Sequence, residues 1–345
     1  MQYNGAMAYI ELDRSALFHN FDIIAQQTRG VDKIALVLKD NAYGHGLEET
    51  AALAAEYGIS KAVVRNAAEA ARLPEPFSYV LVLAEIPETA SPRVCYAVNA
   101  LEAIPRFPRG CRVELKVDTG MHRNGISPEV LEAAYAAAAE AGLRVEGLFT
   151  HHRSADVPGS EWRWQKERFD ALKPIARELS ARYGFDAPRF HSCNSAALFR
   201  NGDFDEDIAR VGIAAYGCLQ METPLDQPGL RPVLSLYAER IAARRLEAGE
   251  RVGYNGVYGA SEPEGVSTYD VGYADGMLRT ASNRYVAPCG AALRGRISMD
   301  NCSFSSDAET LLVFNDANAY AAAAGTIGYE VLVGMRPHMR RVVKA

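Results

Sequence analysis

Between residues 30 and 220, eight short apolar runs alternate with amphipathic or alanine-rich stretches, and this alternation restricts the available folds more than any other feature. The runs are KIALVLK (Lys33–Lys39), KAVV (Lys61–Val64), YVLVLAE (Tyr79–Glu85), CYAVNA (Cys95–Ala100), RVELKVD (Arg112–Asp118), VEGLFTH (Val145–His151), RFHSCN (Arg189–Asn194) and IARVGIAAY (Ile208–Tyr216). Strands that are apolar on both faces and separated by helices belong to a parallel sheet with both faces covered. Eight such units predict an α/β fold closed into a (β/α)8 TIM-like barrel. Helices are expected over 46–57, 66–73, 128–141 and 161–183, with Ser127-Pro128 providing a capping serine and a first-turn proline. The stretches after the third and fourth runs contain Pro87, Pro92, Pro105 and Pro108 and signal helices poorly.

Beyond Pro224 the texture changes. Turn signals separate apolar segments at 233–244, 265–273, 285–288 and 291–304, which reads as a mostly β domain. ANAYAAAA (Ala317–Ala324) is expected to form a short helix. The expected division is a barrel over 9–222 and a β-rich C-terminal domain over 223–345, with residues 1–8 open to assignment to the latter.

Composition excludes several classes. The 345 residues are 48% hydrophobic and 23% charged with a net charge of −6, the balance of a globular domain and not of a nucleic-acid binder. No apolar run approaches the ~18 residues of a membrane span, and Met1–Met7 lacks the pattern of a signal peptide. A cytoplasmic location is expected. The six cysteines are scattered with no CxxC pair, and the seven histidines form no HxH pair flanked by carboxylates, so no metal site is expected.

Lys39 ends an apolar run and is followed by Asp40-Asn41-Ala42-Tyr43-Gly44-His45-Gly46. Barrel active sites gather at the carboxyl ends of the strands, and a partly desolvated lysine there can lose its proton and form a Schiff base. By residue type alone, a lysine snorkelling to the surface fits equally well. Likewise Tyr273 reads as a core tyrosine, His151 as a satisfied strand-end histidine, Arg210 as half of an ion pair and Ser195 as a helix cap.

The segment VLKDNAYGHG (Val37–Gly46) resembles the pyridoxal-phosphate attachment site of bacterial alanine racemases. Six further segments resemble that family in order: DTGMHRNG (118–125), THH (150–152), HSCNSAA (191–197), ARVGIAAYG (209–217), VGYADG (271–276) and GRISMDN (295–301). The resemblance implies a (β/α)8 barrel followed by a β domain, and an enzyme interconverting L-alanine and D-alanine to supply D-alanine for peptidoglycan. It implies that Lys39 carries pyridoxal 5'-phosphate and acts as the base for D-alanine, and that Tyr273, partnered by His151, is the base for L-alanine. Arg210 would face the pyridine nitrogen, and Tyr43, Ser195 and the amides of Gly212 and Ile213 would hold the phosphate. Arg123 and the Met299–Asp300 turn would meet the substrate carboxylate, and Lys116 is a candidate for carbamylation. A homodimer sharing each active site between subunits is implied. Competing assignments are a racemase for serine or another small amino acid, an amino-acid decarboxylase, a non-catalytic pyridoxal-phosphate carrier and a metal hydrolase. Two departures stand out: Asn124 follows Arg123 where the family usually has an apolar residue, and no tyrosine stands at 333–338, where a phosphate-contacting one is expected.

Overall fold

The computed structural model describes residues 7–200 and 202–344. After a first strand, β1 (Tyr9–Asp13), eight strands follow: β2 (Ile34–Val37), β3 (Lys61–Val64), β4 (Tyr79–Val82), β5 (Val94–Val98), β6 (Arg112–Lys116), β7 (Arg144–Phe149), β8 (Arg189–His191) and β9 (Ala209–Val211). They form one parallel sheet in the order β8-β7-β6-β5-β4-β3-β2-β9. The sheet curls into a nearly closed barrel, because β2 pairs with β3 on one edge and β9 on the other, Ala35 lying opposite both Lys61 and Arg210. The strands are buried on both faces, and Ile34, Ala35 and Leu36 have no exposed surface. That is why they read as continuous apolar runs.

No ladder joins β8 to β9 among the described residues. Side chains bridge this seam: the Asp207 carboxylate accepts from the Phe190 amide at 2.7 Å, and Glu206 accepts from the amides of Ser192 at 2.6 Å and Cys193 at 3.2 Å. Two backbone bonds span it, from the Arg210 amide to the Cys193 carbonyl at 2.9 Å and from the Asp207 amide to the Phe190 carbonyl at 3.2 Å.

The helices Leu47–Tyr57, Ala67–Ala71 and Glu161–Arg182 fall where periodicity predicts them. The stretch from Pro128 starts as a 3₁₀ turn and becomes helical over Leu131–Glu140. The proline-rich connections differ from a regular barrel: after β5 there is only a 3₁₀ turn, Leu101–Arg106, with Pro105 inside it. Proline has no amide hydrogen to extend a helix at these positions.

The C-terminal domain is built on a seven-stranded sheet whose longest strand, β10 (Leu234–Leu246), pairs antiparallel with β1, Glu264–Tyr269 and Thr310–Phe314. Strand β1, allotted above to the barrel, also runs parallel to Arg340–Lys344 and so belongs to this second sheet. Its sequence YIELD buries alternate residues, the period of a sheet with one wet face and not of a barrel strand. The Ala317–Ala324 helix is present and capped by Asp316, whose carboxylate accepts from the Asn318 amide at 2.8 Å.

The two domains meet at the turn after Lys39. Gly44 lies at φ +78°, and a Cβ there would sit 1.9 Å from the Leu332 carbonyl oxygen in the helix Gly328–Gly334. The Arg341 guanidinium donates to the Gly44 carbonyl through Nε at 3.2 Å and Nη2 at 2.8 Å. Gly44→Ala combines an unfavourable left-handed conformation with a backbone collision, and should destabilise the protein by more than ~2 kcal/mol. Urea denaturation of the two proteins measures the difference.

Candidate active site

Lys39 emerges at the carboxyl end of β2, immediately after Leu38. The next four residues, Asp40 to Tyr43, all adopt left-handed backbone angles with φ between 52° and 57°. Such a run costs L-residues roughly 1 kcal/mol or more at each position. Specific bonds offset it: the Glu69 carboxylate accepts from the Asp40 amide at 2.7 Å, and Asn41 Oδ1 accepts from the Leu47 amide at 3.0 Å. The Ala42 and Gly46 amides reach the Leu38 and Asn41 carbonyls at 2.9 and 3.0 Å. The turn drives Tyr43 inward while leaving the Lys39 ammonium partly exposed, 3.7 Å from the Asp40 carboxylate.

The Tyr43 ring packs on Tyr216, with centroids 5.2 Å apart, and the Tyr216 hydroxyl is tethered to the Val37 carbonyl at 2.8 Å. The Tyr43 hydroxyl reaches the space above Gly212, where an added Cβ would lie 2.8 Å from it. Ser195 Oγ accepts from the amides of Gly212 at 3.1 Å and Ala214 at 3.3 Å. Tyr43, Ser195, Gly212 and Ile213 are thus gathered at the ends of the last two strands, where barrels commonly hold a phosphate.

Arg210, in β9, is buried. Its Nη1 lies 2.6 Å from His191 Nδ1 and donates to the His191 carbonyl at 2.9 Å, while Nη2 donates to the carbonyls of Thr150 at 2.6 Å and Ser192 at 3.2 Å. His151 is adjacent to this cluster in charge: burial first, then the cations of Arg210, Lys116 and Arg123, push its imidazole well below the ordinary histidine range. It is neutral near pH 7, with one ring nitrogen able to donate a hydrogen bond and the other able to accept one. His152, also in the THH segment, is pushed down to about 3, chiefly by burial, and neither ring nitrogen has a partner.

Lys116 ends β6 almost fully buried, and its ammonium donates to Asn124 Oδ1 at 2.5 Å. Asn124 in turn donates to Asn99 Oδ1 at 2.9 Å, so the residue that departs from the apolar family pattern forms a polar bridge. Burial, followed by the charges of Arg123 and Arg210, brings the Lys116 ammonium down to about 8. Arg123 itself is exposed, on the loop that Asp118 holds by accepting from the Gly120 amide at 2.9 Å.

Tyr273 and Met299 come together in the second domain. The Tyr273 amide donates to the Ser298 carbonyl at 3.0 Å, and the Ala274 amide to the Met299 carbonyl at 2.9 Å. Gly272 permits this approach, since a Cβ there would lie 2.1 Å from the Met299 carbonyl oxygen. Both side chains are exposed, Tyr273 by 40% and Met299 by 55%, and the Tyr273 hydroxyl bonds to no barrel residue among the described residues. Within one chain, then, the structure collects the barrel residues and the second-domain residues into two separate groups.

Residues 12–220 match the family of alanine racemase N-terminal domains, and residues 233–343 match the corresponding C-terminal domain family. The chain belongs to the alanine racemase family. The alanine racemase of Nitratiruptor sp. is 43% identical over 335 residues, covering 97% of this chain and 99% of the relative. That of Campylobacter curvus is 39% identical over 337 residues, with coverage of 97% and 99%. The alanine racemase structure from D-cycloserine-producing Streptomyces lavendulae superposes with a TM-score of 0.84 at 28% identity, over 99% of this chain and 98% of that one. Membership makes the chain an isomerase of the alanine racemase class.

One residue beside Tyr43 was absent from the sequence expectation. No tyrosine stands at 333–338, but Tyr329, upstream on the helix Gly328–Gly334, brings its ring to 6.0 Å from that of Tyr43. Burial pushes its hydroxyl up to about 12. In sequence it stands within the TIGYE segment (326–330), several residues before Arg336.

The Lys116 environment sets a pH dependence. Its pKa in the folded state, about 8, lies below the 10.5 of a free lysine. The charged form therefore costs folding stability below pH 8, and the cost fades as pH rises from 8 to 10.5, because the unfolded chain binds more protons there. In CO2-free buffer, Lys116→Met should be more stable than the wild type at pH 7 by on the order of 2 kcal/mol. Urea midpoints of the two proteins should converge toward pH 10.5.

Proposed function

We propose that this chain interconverts L-alanine and D-alanine with pyridoxal 5'-phosphate, using Lys39 and Tyr273 as the two bases, and supplies D-alanine for peptidoglycan in the cytoplasm. The observation that carries the reading is the buried Arg210 guanidinium, anchored by His191, Thr150 and Ser192 at the same barrel mouth that presents Lys39. The residues fit the cofactor: a lysine at a strand end, a glycine whose missing Cβ leaves room beneath the Tyr43 hydroxyl, and a serine among backbone amides. Bound there, pyridoxal phosphate supplies an electron sink for the α-carbon. No helix among the described residues is long and apolar enough to cross a membrane.

Lys39 holds the cofactor and moves the proton on the D face. Tyr273 moves it on the L face, with neutral His151 as its hydrogen-bond partner. Ser195, the amides of Gly212 and Ile213, and the hydroxyls of Tyr43 and Tyr329 hold the phosphate. Arg210 would present to a bound cofactor's pyridine nitrogen a donor that never releases its proton, which would disfavour protonation there and weaken the electron sink. Arg123 and the backbone at Met299 take the substrate carboxylate. The exposure of Tyr273 and Met299 supports a homodimer in which each chain completes the other's site.

Lys116 is proposed to be carbamylated. With its pKa at about 8, roughly a tenth of the amine is neutral at pH 7, the form that adds CO2. The resulting anion relieves the crowding of Lys116, Arg123 and Arg210. Labelled bicarbonate should give a carbamate carbon resonance in the wild type that is missing from Lys116→Met; its absence from both removes this part of the proposal.

The main test incubates the protein with L-alanine and cofactor in D2O and follows chirality and the α-proton. Equal L- and D-alanine with deuterium at Cα is expected. Tyr273→Phe should lower racemisation by at least about a hundredfold while D-alanine still exchanges its α-proton through Lys39. Retained configuration in the wild type would remove the two-base reading. Sedimentation should show a dimer, and activity should fall on dilution through its dissociation range.

A further inference from the structure

Beneath Arg210, inside the barrel, lies a carboxylate that the reaction does not touch. Glu114, in β6, has no exposed surface. One carboxylate oxygen lies 2.6 Å from His191 Nε2; the other accepts from the Tyr79 hydroxyl at 3.0 Å and from the Arg189 guanidinium. The opposite nitrogen of His191, Nδ1, faces Arg210 Nη1 at 2.6 Å. The chain makes room for this acid: Gly147 of β7 stands beside it, and a Cβ there would lie 3.0 Å from Glu114 Oε1 and 2.9 Å from the Arg189 carbonyl oxygen. The imidazole between them is clamped, stacking on Phe149 with centroids 4.8 Å apart and planes 8° from parallel.

We propose that Glu114 is a positioning residue for Arg210, acting through His191. The donors and acceptors admit one arrangement. Arginine only donates, so His191 Nδ1 must present its lone pair to Nη1. Nε2 therefore carries the ring proton and donates it to Glu114, which must be the anion. Burial, opposed by Glu114 and reinforced by Arg210, holds His191 below its ordinary range and keeps the ring neutral. The result is a cation–imidazole–anion chain across β9, β8 and β6.

Its chemical use follows from what a direct pair would do. A buried guanidinium without a counter-charge is costly, yet a carboxylate placed against it at the barrel mouth would stand beside the pyridine nitrogen and favour its protonation. Setting the carboxylate one imidazole away supplies negative charge and fixes the guanidinium without bringing an acid to the ring. A second carboxylate, Glu206, also stabilises the Arg210 charge. It is engaged by Ser192, Cys193 and Lys173, and is not hydrogen-bonded to Arg210 or to His191. Among the carboxylates of the described residues, only Glu114 is joined to Arg210 by an unbroken hydrogen-bonded path through a side chain.

The inference rests on Arg210 facing the cofactor ring, and the test separates the two. In full-length, cofactor-loaded protein with 15N-labelled histidine, His191 should be a neutral ring protonated only on Nε2, its proton shifted strongly downfield by the charged acceptor. Glu114→Gln keeps the shape and an acceptor but removes the charge, and should move that proton upfield. It should also raise the ratio of transamination, read as pyruvate released from alanine, to racemisation by several-fold. Tyr79→Phe removes a different bond to the same carboxylate, so it should leave both readouts in place while lowering thermal stability. An unmoved His191 resonance in Glu114→Gln, or an unmoved ratio alongside reduced stability, overturns the proposal and leaves Glu114 a packing residue. Failure of racemisation in the wild type would remove the functional reading, while the His191 resonance would still decide whether the relay exists.

Discussion

The burial of Arg210 is the constraint on which much of this molecule turns. The barrel closes at the one place where no strand ladder exists, between β8 and β9, and the guanidinium stitches that seam by donating to carbonyls of Thr150, His191 and Ser192. A guanidinium can serve there because its planar fork of donors meets several fixed acceptors at once, whereas a lysine ammonium has no such geometry. The same group then stands at the barrel mouth as a permanent cation. One side chain thus helps to close the barrel, beside Asp207 and Glu206, and sets a positive charge at its mouth.

A dense set of positive charges surrounds it. Arg123 and Arg210 lie close enough to depress Lys116, and the three cations together depress His151. Neutral histidines and a lysine brought down to about 8 are what a low-dielectric pocket with an excess of cations produces. Such a pocket attracts anionic groups, and both the phosphate of the cofactor and the carboxylate of an amino acid are anions. Glu114 and Glu206 carry the compensating charge below the mouth, buried and hydrogen-bonded, so that it does not compete for the ligands.

The second domain contributes by shape. Its helix Gly328–Gly334 presses its backbone against Gly44, and Arg341 grips the same glycine's carbonyl, so the left-handed turn that aims Tyr43 is held from outside the barrel. The strain of four consecutive left-handed residues persists because several independent contacts over-determine it. The second domain also places Tyr273 and Met299 at the surface, on two turns joined by backbone hydrogen bonds.

Much of this was legible in the chain. Eight apolar runs specify eight parallel strands because a strand buried on both faces has no polar positions to alternate with. Lys39, Arg210 and Ser195 stand at strand ends in sequence, which is where a barrel must place its chemistry. The sequence by itself therefore determined the fold class, the family and the candidate residues. Other features depend on approaches between distant segments that no local pattern encodes. The pairing of β1 with β10 and with Arg340–Lys344 joins opposite ends of the chain. Tyr329 meets Tyr43 only because a helix of the second domain docks on the left-handed turn. Glu114 reads in sequence as one charge in an amphipathic-looking strand, RVELK. Only the pairing of β6 and β8 on either side of β7 brings Glu114 to His191 and gives that charge a partner. Local periodicity reports which face a residue takes; which residues share a closed interior is decided by the radius of the barrel.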